Sequence, residues 1–352
     1  MTLRVIHCGT GNVGIEALRG ILHHPDLELV GQYAHTPEKI GRDAGFLAGE
    51  KDVGIVTTND WDALLALDAD CLCYCGNSIG REQDAITDVA RFLERGTDVV
   101  TISTFPLAYP AAAPANYRQP IDEACARGGS SMVFTGIDPG WATTDLAIAA
   151  LACADRVDCI RVMELGWWGD YTAEYLCREY FGFGQAPGYQ PLLVTGGFIK
   201  EMWAPTLLHI ASQIGVTIDD WKVLYETDSL DHDIETGFGI VRAGTASAVH
   251  FELHALSKGK PVAIVEHVDL VGRGAGPQWA APFGPKELAY RVEIEGDPNY
   301  TLELNFDYPA SGKVSAMPAV NAIPALCAAK PGLLSVFDLP RYASRNIRGL
   351  SA

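Results

Sequence analysis

The sequence predicts an α/β chain. An amino-terminal doubly wound parallel sheet is followed by an α+β part whose sheet is mostly antiparallel. Three observations predict it. Short apolar runs take turns with amphipathic helical segments from Leu3 to Gly136, the signature of strands joined by crossover helices. Beyond Val157 the pattern shifts to strand-like stretches, several with period-2 alternation. A glycine-rich turn joins the first strand to the first helix.

In the first part, apolar runs at Leu3–Cys8, Leu27–Tyr33, Gly54–Thr57, Ala69–Cys75, Asp98–Ile102 and Ser131–Gly136 read as strands. Helical spacing appears at Gly14–His23, Trp61–Ala66, Glu82–Glu94 and Pro120–Ala126. In the second part, Val157–Gly166, Ala246–Leu256, Pro261–Leu270, Glu287–Glu295 and Tyr300–Phe306 read as strands. Helices are expected at Ala173–Tyr180, Thr206–Ile214 and Pro318–Ala329. Val249–Ala255 alternates apolar and polar residues, as a sheet with one wet face does; an exposed face accounts for His250 and His254 sharing a side. The expected division is 1–140 for dinucleotide binding, 141–315 for substrate and dimerisation, and 316–352 returning to the first domain.

The chain has 352 residues, enough for two cores, with 26 Lys+Arg against 44 Asp+Glu and a formal charge of −18. So acidic a protein is a poor partner for nucleic acid or an anionic membrane surface. No apolar run is long enough to span a bilayer, and the opening residues run into a patterned strand without a leader, so a cytoplasmic protein is expected. Nine cysteines occur without any C-x-x-C pair, which disfavours disulfide frameworks and zinc sites; no metal is expected.

The turn Gly9-Thr10-Gly11-Asn12-Val13-Gly14 follows a strand and opens a helix, the context in which G-x-G-x-x-G marks a Rossmann dinucleotide site. Gly9 permits the tight turn, Gly11 lets backbone approach a pyrophosphate, and Gly14 lets helix pack on strand. Helix N–H groups then hold the anion without Lys or Arg, which reconciles an anionic cofactor with an acidic chain. The end of the second strand carries no carboxylate for a ribose diol. His35, Thr36, Lys39 and Arg42 stand there instead, favouring NADP and leaving NAD open. Gly76, Asn77, Ser103 and Thr104 close later strands and should line the nicotinamide side, because ligands sit at carboxyl ends of strands. Asp138, in Gly136-Ile137-Asp138-Pro139-Gly140, either starts a turn or orients a ligand.

The fingerprint, the segment Lys39–Gly45, Ala108-Tyr109-Pro110 and Gly136–Gly140 occur in an order that resembles the dihydrodipicolinate-reductase-like superfamily. Within it they resemble the branch of 2,4-diaminopentanoate dehydrogenases and native amine dehydrogenases. Arg291–Pro298 and Asn321–Pro324 look like its actinobacterial members. The resemblance implies a homodimer and NAD(P)-dependent interconversion of an amine or imine with a ketone. It also implies a Glu just before Ala-Tyr-Pro for handling ammonia, yet that loop reads Ser103-Thr104-Phe105-Pro106-Leu107. Neither Phe nor Pro can take a proton from ammonium. Either Asp138, Glu164 or Asp170 substitutes, or the enzyme reduces a carbonyl or preformed imine, or the chain is a cofactor-binding sensor without turnover. Tyr171 is a candidate proton donor and Thr104 a further catalytic candidate. Phe105, Tyr109, Trp141, Trp168 and Tyr175 are expected to line an apolar pocket for a hydrophobic ketone, imine or amine.

Overall fold

The computed structural model describes residues 2–346. The chain forms two compact units: one joins Met1–Trp141 to a returning part that begins at Gly312, and the other is Ala142–Ser311. The first unit begins with β1 (Leu3–Cys8), α1 (Asn12–His23), β2 (Leu27–Tyr33), α2 (Ala44–Ala48) and α3 (Trp61–Leu65). It continues with β3 (Cys71–Tyr74), α4 (Glu82–Leu93), β4 (Asp98–Thr101), α5 (Ala115–Gly128) and β5 (Ser131–Phe134). The apolar run Gly54–Thr57 forms no full strand; its neighbour Thr58 makes a single parallel bridge to Tyr33 at the sheet edge. Side-chain caps start the short helices: Asp43 accepts from the Gly45 and Phe46 N–H groups at α2, and Asp60 from Asp62 and Ala63 at α3.

The second unit opens with α6 (Leu146–Ala150), β6 (Arg156–Trp167), α7 (Leu192–Thr195) and α8 (Phe198–Gln213). Then follow β7 (Asp220–Ser229), β8 (Ile234–Thr236), β9 (Gly239–Val241), β10 (Ala246–Ser257), β11 (Lys260–Leu270), β12 (Leu288–Asp297) and β13 (Tyr300–Phe306). Six strands form one sheet in the order β13-β12-β6-β11-β10-β7, antiparallel except for the β6–β11 pair. The expected helix at Ala173–Tyr180 is largely a π-helical turn, Leu176–Phe181.

Alternation along β10 sends Val249, Phe251 and Leu253 to one face, where the α8 side chain Trp203 packs on Phe251. His250, Glu252 and His254 occupy the other. That face is not the exposed one expected: the His250 and His254 side chains are only 9% and 13% exposed. Opposite charges explain the burial. Arg161 on β6 pairs with Glu252 and Glu266, His250 reaches Glu266 at 3.3 Å, and Trp279 stacks on the His250 ring. Burial alone would lower the His250 pKa, but the two glutamates outweigh it and hold it up at about 9.

α9 (Ser311–Cys327) and β14 (Gly332–Leu334) complete the first unit. Its sheet runs β14-β5-β4-β3-β1-β2, with every pair parallel. One face carries Val5, Cys71, Cys73 and Val100 against Leu18 and Ile21 of α1 and Val320 and Ile323 of α9. The other carries Ile6, Leu72, Val99 and Met132 against Ile86 and Val89 of α4 and Ile121 of α5. Burying both faces is what gives these strands their continuous apolar runs. The strand order reverses direction between β1 and β3, the position where ligands enter such sheets. Among the described residues, no helix is long and apolar enough to cross a membrane.

Candidate active site

The glycine turn sits at that reversal. Gly9 has φ +118°, and a Cβ there would lie 2.5 Å from the Cys75 carbonyl oxygen, so only glycine lets β1 turn this close to β3. Gly11 is the opposite case: a Cβ would meet nothing within 4 Å, so the space above it is open. α1 begins there with no side-chain cap and no acid in its first turn, and its first internal bond runs from Ile15 N to Gly11 O. The N–H groups of Asn12, Val13 and Gly14 therefore face an open, positively polarised helix end, a fit for a pyrophosphate.

A cleft of about 390 Å³ opens from this turn. Gly9, Thr10, Gly11, His35, Thr36, Gly76 and Asn77 line it. Lys39 reaches back to donate to the Thr10 carbonyl at 2.6 Å, which places its ammonium beside the glycine turn. Arg42 turns elsewhere and lies over the exposed Phe46 ring at 5.3 Å. The cleft also draws on Cys8, Tyr33, Trp61, Tyr74, Arg81 and Asp88, none of which the sequence pattern singled out. Tyr33 and Trp61 stack at 3.8 Å, giving an aromatic wall suited to a planar base. Burial holds the Asp88 carboxyl above its ordinary pKa, with Arg81 and Arg91 pulling it back.

At the next strand ends, Ser78 donates to the Ser103 carbonyl, and the Ser103 N–H donates to Thr101 Oγ1 at 3.0 Å. Thr104 is 1% exposed, and its Oγ1 has no hydrogen-bond partner among the described residues. Such a hydroxyl costs free energy until something bonds it. Phe105 packs edge-on against Phe134 at 5.8 Å, and Tyr109 precedes a 3₁₀ turn over Pro110–Ala112. Asp138 sits in a tight turn closed by the Trp141 N–H on the Gly136 carbonyl at 2.7 Å; Trp141 itself is 38% exposed.

In the second unit, Glu164 on β6 lies opposite His267 on β11. A Cβ at Gly166 would lie 2.6 Å from Asp269 Oδ1 and 3.3 Å from Glu164 Oε1, so the side chain missing at Gly166 lets two carboxylates converge. Asp269 Oδ2 is 3.8 Å from His267 Nδ1, and Trp168 Nε1 donates to Asp269 Oδ1 at 3.0 Å. His267 stacks on Phe251 at 4.4 Å. Trp168 brings aromatic company, with Tyr171 at 4.7 Å and Phe181 at 4.5 Å, whereas Tyr175 is 67% exposed. Asp145 is a further acid, beside Asp88 and Asp269, that the sequence reading does not single out: burial pushes its carboxyl up to about 7, and its Oδ1 has no hydrogen-bond partner among the described residues. Its only signal was a carboxylate one turn beyond the Gly136–Gly140 turn.

Residues 203–348 match the family model described as the 2,4-diaminopentanoate dehydrogenase C-terminal domain. The chain is 32% identical over 341 residues to an amine dehydrogenase of Streptomyces virginiae, covering 94% of each. It is 27% identical over 294 residues to a 2,4-diaminopentanoate dehydrogenase of Acetoanaerobium sticklandii, spanning 79% of this chain and 76% of that one. Among solved structures, an amine dehydrogenase from Mycobacterium smegmatis shares the fold, with a TM-score of 0.77 at 20% identity over 98% of both chains. The chain belongs to the amine dehydrogenase family, and with it to the NAD(P)-dependent oxidoreductases.

Proposed function

We propose that this enzyme is an NADP-preferring dehydrogenase that interconverts a hydrophobic ketone and the corresponding amine through a C=N carbon. The observation that carries the reading is the open space over Gly11 at an uncapped helix end. NADP is favoured by the lack of a carboxylate at the tip of β2 and by Lys39 beside the turn, with His35, Thr36 and Arg81 lining the same cleft. The nicotinamide, when bound, supplies or accepts the hydride. The chain's own work is positioning, water exclusion and proton handling.

Proton handling falls to Glu164, because the loop Ser103–Leu107 offers no carboxylate. Flanked by His267 and Asp269, Glu164 is supplied with groups that can hold and pass a proton. It takes a proton from ammonium to free the ammonia that adds to the carbonyl, and returns one to the carbinolamine hydroxyl, which leaves as water and gives the iminium. The unpaired Thr104 hydroxyl is a fit for a ligand amide or carbonyl, and the cluster around Trp168 supplies apolar walls. The Phe105-Pro106 loop favours a second reading, direct carbonyl reduction without ammonia. Oxidation of NADPH with a panel of hydrophobic ketones separates the two: turnover that requires ammonia supports amination, and equal turnover without it supports carbonyl reduction.

A further inference from the structure

A second constellation lies beneath the cofactor cleft, inside the first unit, and the proposed reaction does not use it. His7 on β1 pairs in register with Cys73 on β3 and with Gln32 on β2. Cys75 follows two residues after Cys73 and therefore shares its face. A ring nitrogen of His7 and the two sulfurs all lie within 4.8 Å of one another. His7 and Cys73 are fully buried, and Cys75 packs partly buried against the same core.

The imidazole is already oriented. Its Nδ1 meets Gln32 Oε1 at 2.8 Å, and the Gln32 amide in turn donates to the Tyr33 carbonyl, so Oε1 is the end that faces the ring. An acceptor at Nδ1 makes it the protonated nitrogen and leaves a lone pair on Nε2. Nε2 is buried and has no hydrogen-bond partner among the described residues. The spacing of the sulfurs is equally specific. Cys73 Sγ and Cys75 Sγ are 3.8 Å apart, and two sulfurs at about 2.3 Å from one tetrahedral zinc stand about 3.8 Å from each other.

We infer that His7 Nε2, Cys73 Sγ and Cys75 Sγ form a binding site for zinc(II). Two thiolates and a neutral imidazole around a divalent cation sum to zero charge, the condition under which a charged cluster is tolerated in an interior. Binding releases the two thiol protons to solvent and involves no change of oxidation state. Gln32 holds the imidazole as second partners of metal-ligating histidines do. Cys75 is only half-buried and lines the same cleft as Gly9, which gives the ion an entry path. C-x-C on one strand carries none of the C-x-x-C spacing by which zinc sites are read from sequence; the third ligand comes from a neighbouring strand.

The test is metal loading of the full chain. After chelator treatment, the protein is incubated with zinc chloride alone, desalted and assayed for metal, and in parallel titrated with cobalt(II) chloride. One zinc per chain and a thiolate-to-cobalt charge-transfer band in the near ultraviolet are expected. Cys73→Ser and His7→Gln lose both, Cys125→Ser keeps both, and Gln32→Ala weakens zinc binding by about 10- to 100-fold. No retained zinc in the wild type, a cobalt spectrum without the charge-transfer band, or undiminished binding in Cys73→Ser and His7→Gln overturns the assignment. The wild-type stoichiometry and spectrum decide the matter even if a variant fails to fold.

Discussion

Lys39 Nζ donates to the Thr10 carbonyl at 2.6 Å, tying the turn after β2 to the glycine loop that precedes α1. The bond fixes a cation beside the glycine turn, and on the proposed reading that cation meets the 2′-phosphate of NADP, a contact that NAD lacks. Lys39→Ala is expected to raise KM for NADPH by about tenfold, or ~1.4 kcal/mol, while changing KM for NADH by less than threefold. Steady-state kinetics with both cofactors at two ionic strengths checks it. Equal losses for the two would remove Lys39 from cofactor choice.

Gly9 and Gly11 stand two residues apart and should fail differently. Gly9→Ala forces a Cβ to within 2.5 Å of the Cys75 carbonyl at φ +118°, so it is expected to cost about 1–3 kcal/mol of stability. A Cβ at Gly11 would meet no atom within 4 Å and φ there is −79°, so Gly11→Val should fold with a loss of no more than about 1 kcal/mol, that of a good N-cap residue, yet lose cofactor binding. Thermal melts beside cofactor titrations separate the two effects.

Glu164→Gln keeps the size of the side chain while removing the proposed base. The expected outcome is a fall in kcat for ammonia-dependent reduction of about 10²- to 10⁴-fold, with cofactor affinity unchanged. Transient kinetics that follow cofactor binding and turnover separately check this. A kcat within threefold of wild type would move the role to another acid.

Asp145 gives a pH signature. Burial raises its carboxyl from the ordinary value near 3.8 to about 7. Between those values the unfolded chain releases a proton that the folded chain keeps, so this residue makes the protein less stable as pH rises from 4 to 7. Asp145→Asn removes that loss and is expected to be more stable than wild type at pH 8, by of order 4 kcal/mol, with the gap closing below pH 4. Urea unfolding at both pH values measures it.

Local signals carried the cofactor half of the account. The glycine turn, its flanking strand and its helix are contiguous, so sequence alone located the open helix end at Gly11. The aromatic wall of Tyr33 and Trp61 was invisible because the two rings come from different elements. Sequence spacing places helix starts too late where proline sits inside: Pro120, Pro205 and Pro318 lie within α5, α8 and α9, which begin at Ala115, Phe198 and Ser311. β7 leaves no apolar run because most of its residues are exposed at a sheet edge, and β14 because it is three residues long and pairs with a strand distant in sequence. The polar side of His250 and His254 suggests a wet face, yet it is buried, because polarity stands for exposure only when charges are unpaired.

Calorimetric titration of the purified chain with NADPH, alongside Gly11→Val, tests the central claim most directly. Stoichiometric binding of one cofactor per chain by the wild type and none by the variant is the predicted result. An equal heat signal from both proteins, or no binding by the wild type, contradicts it.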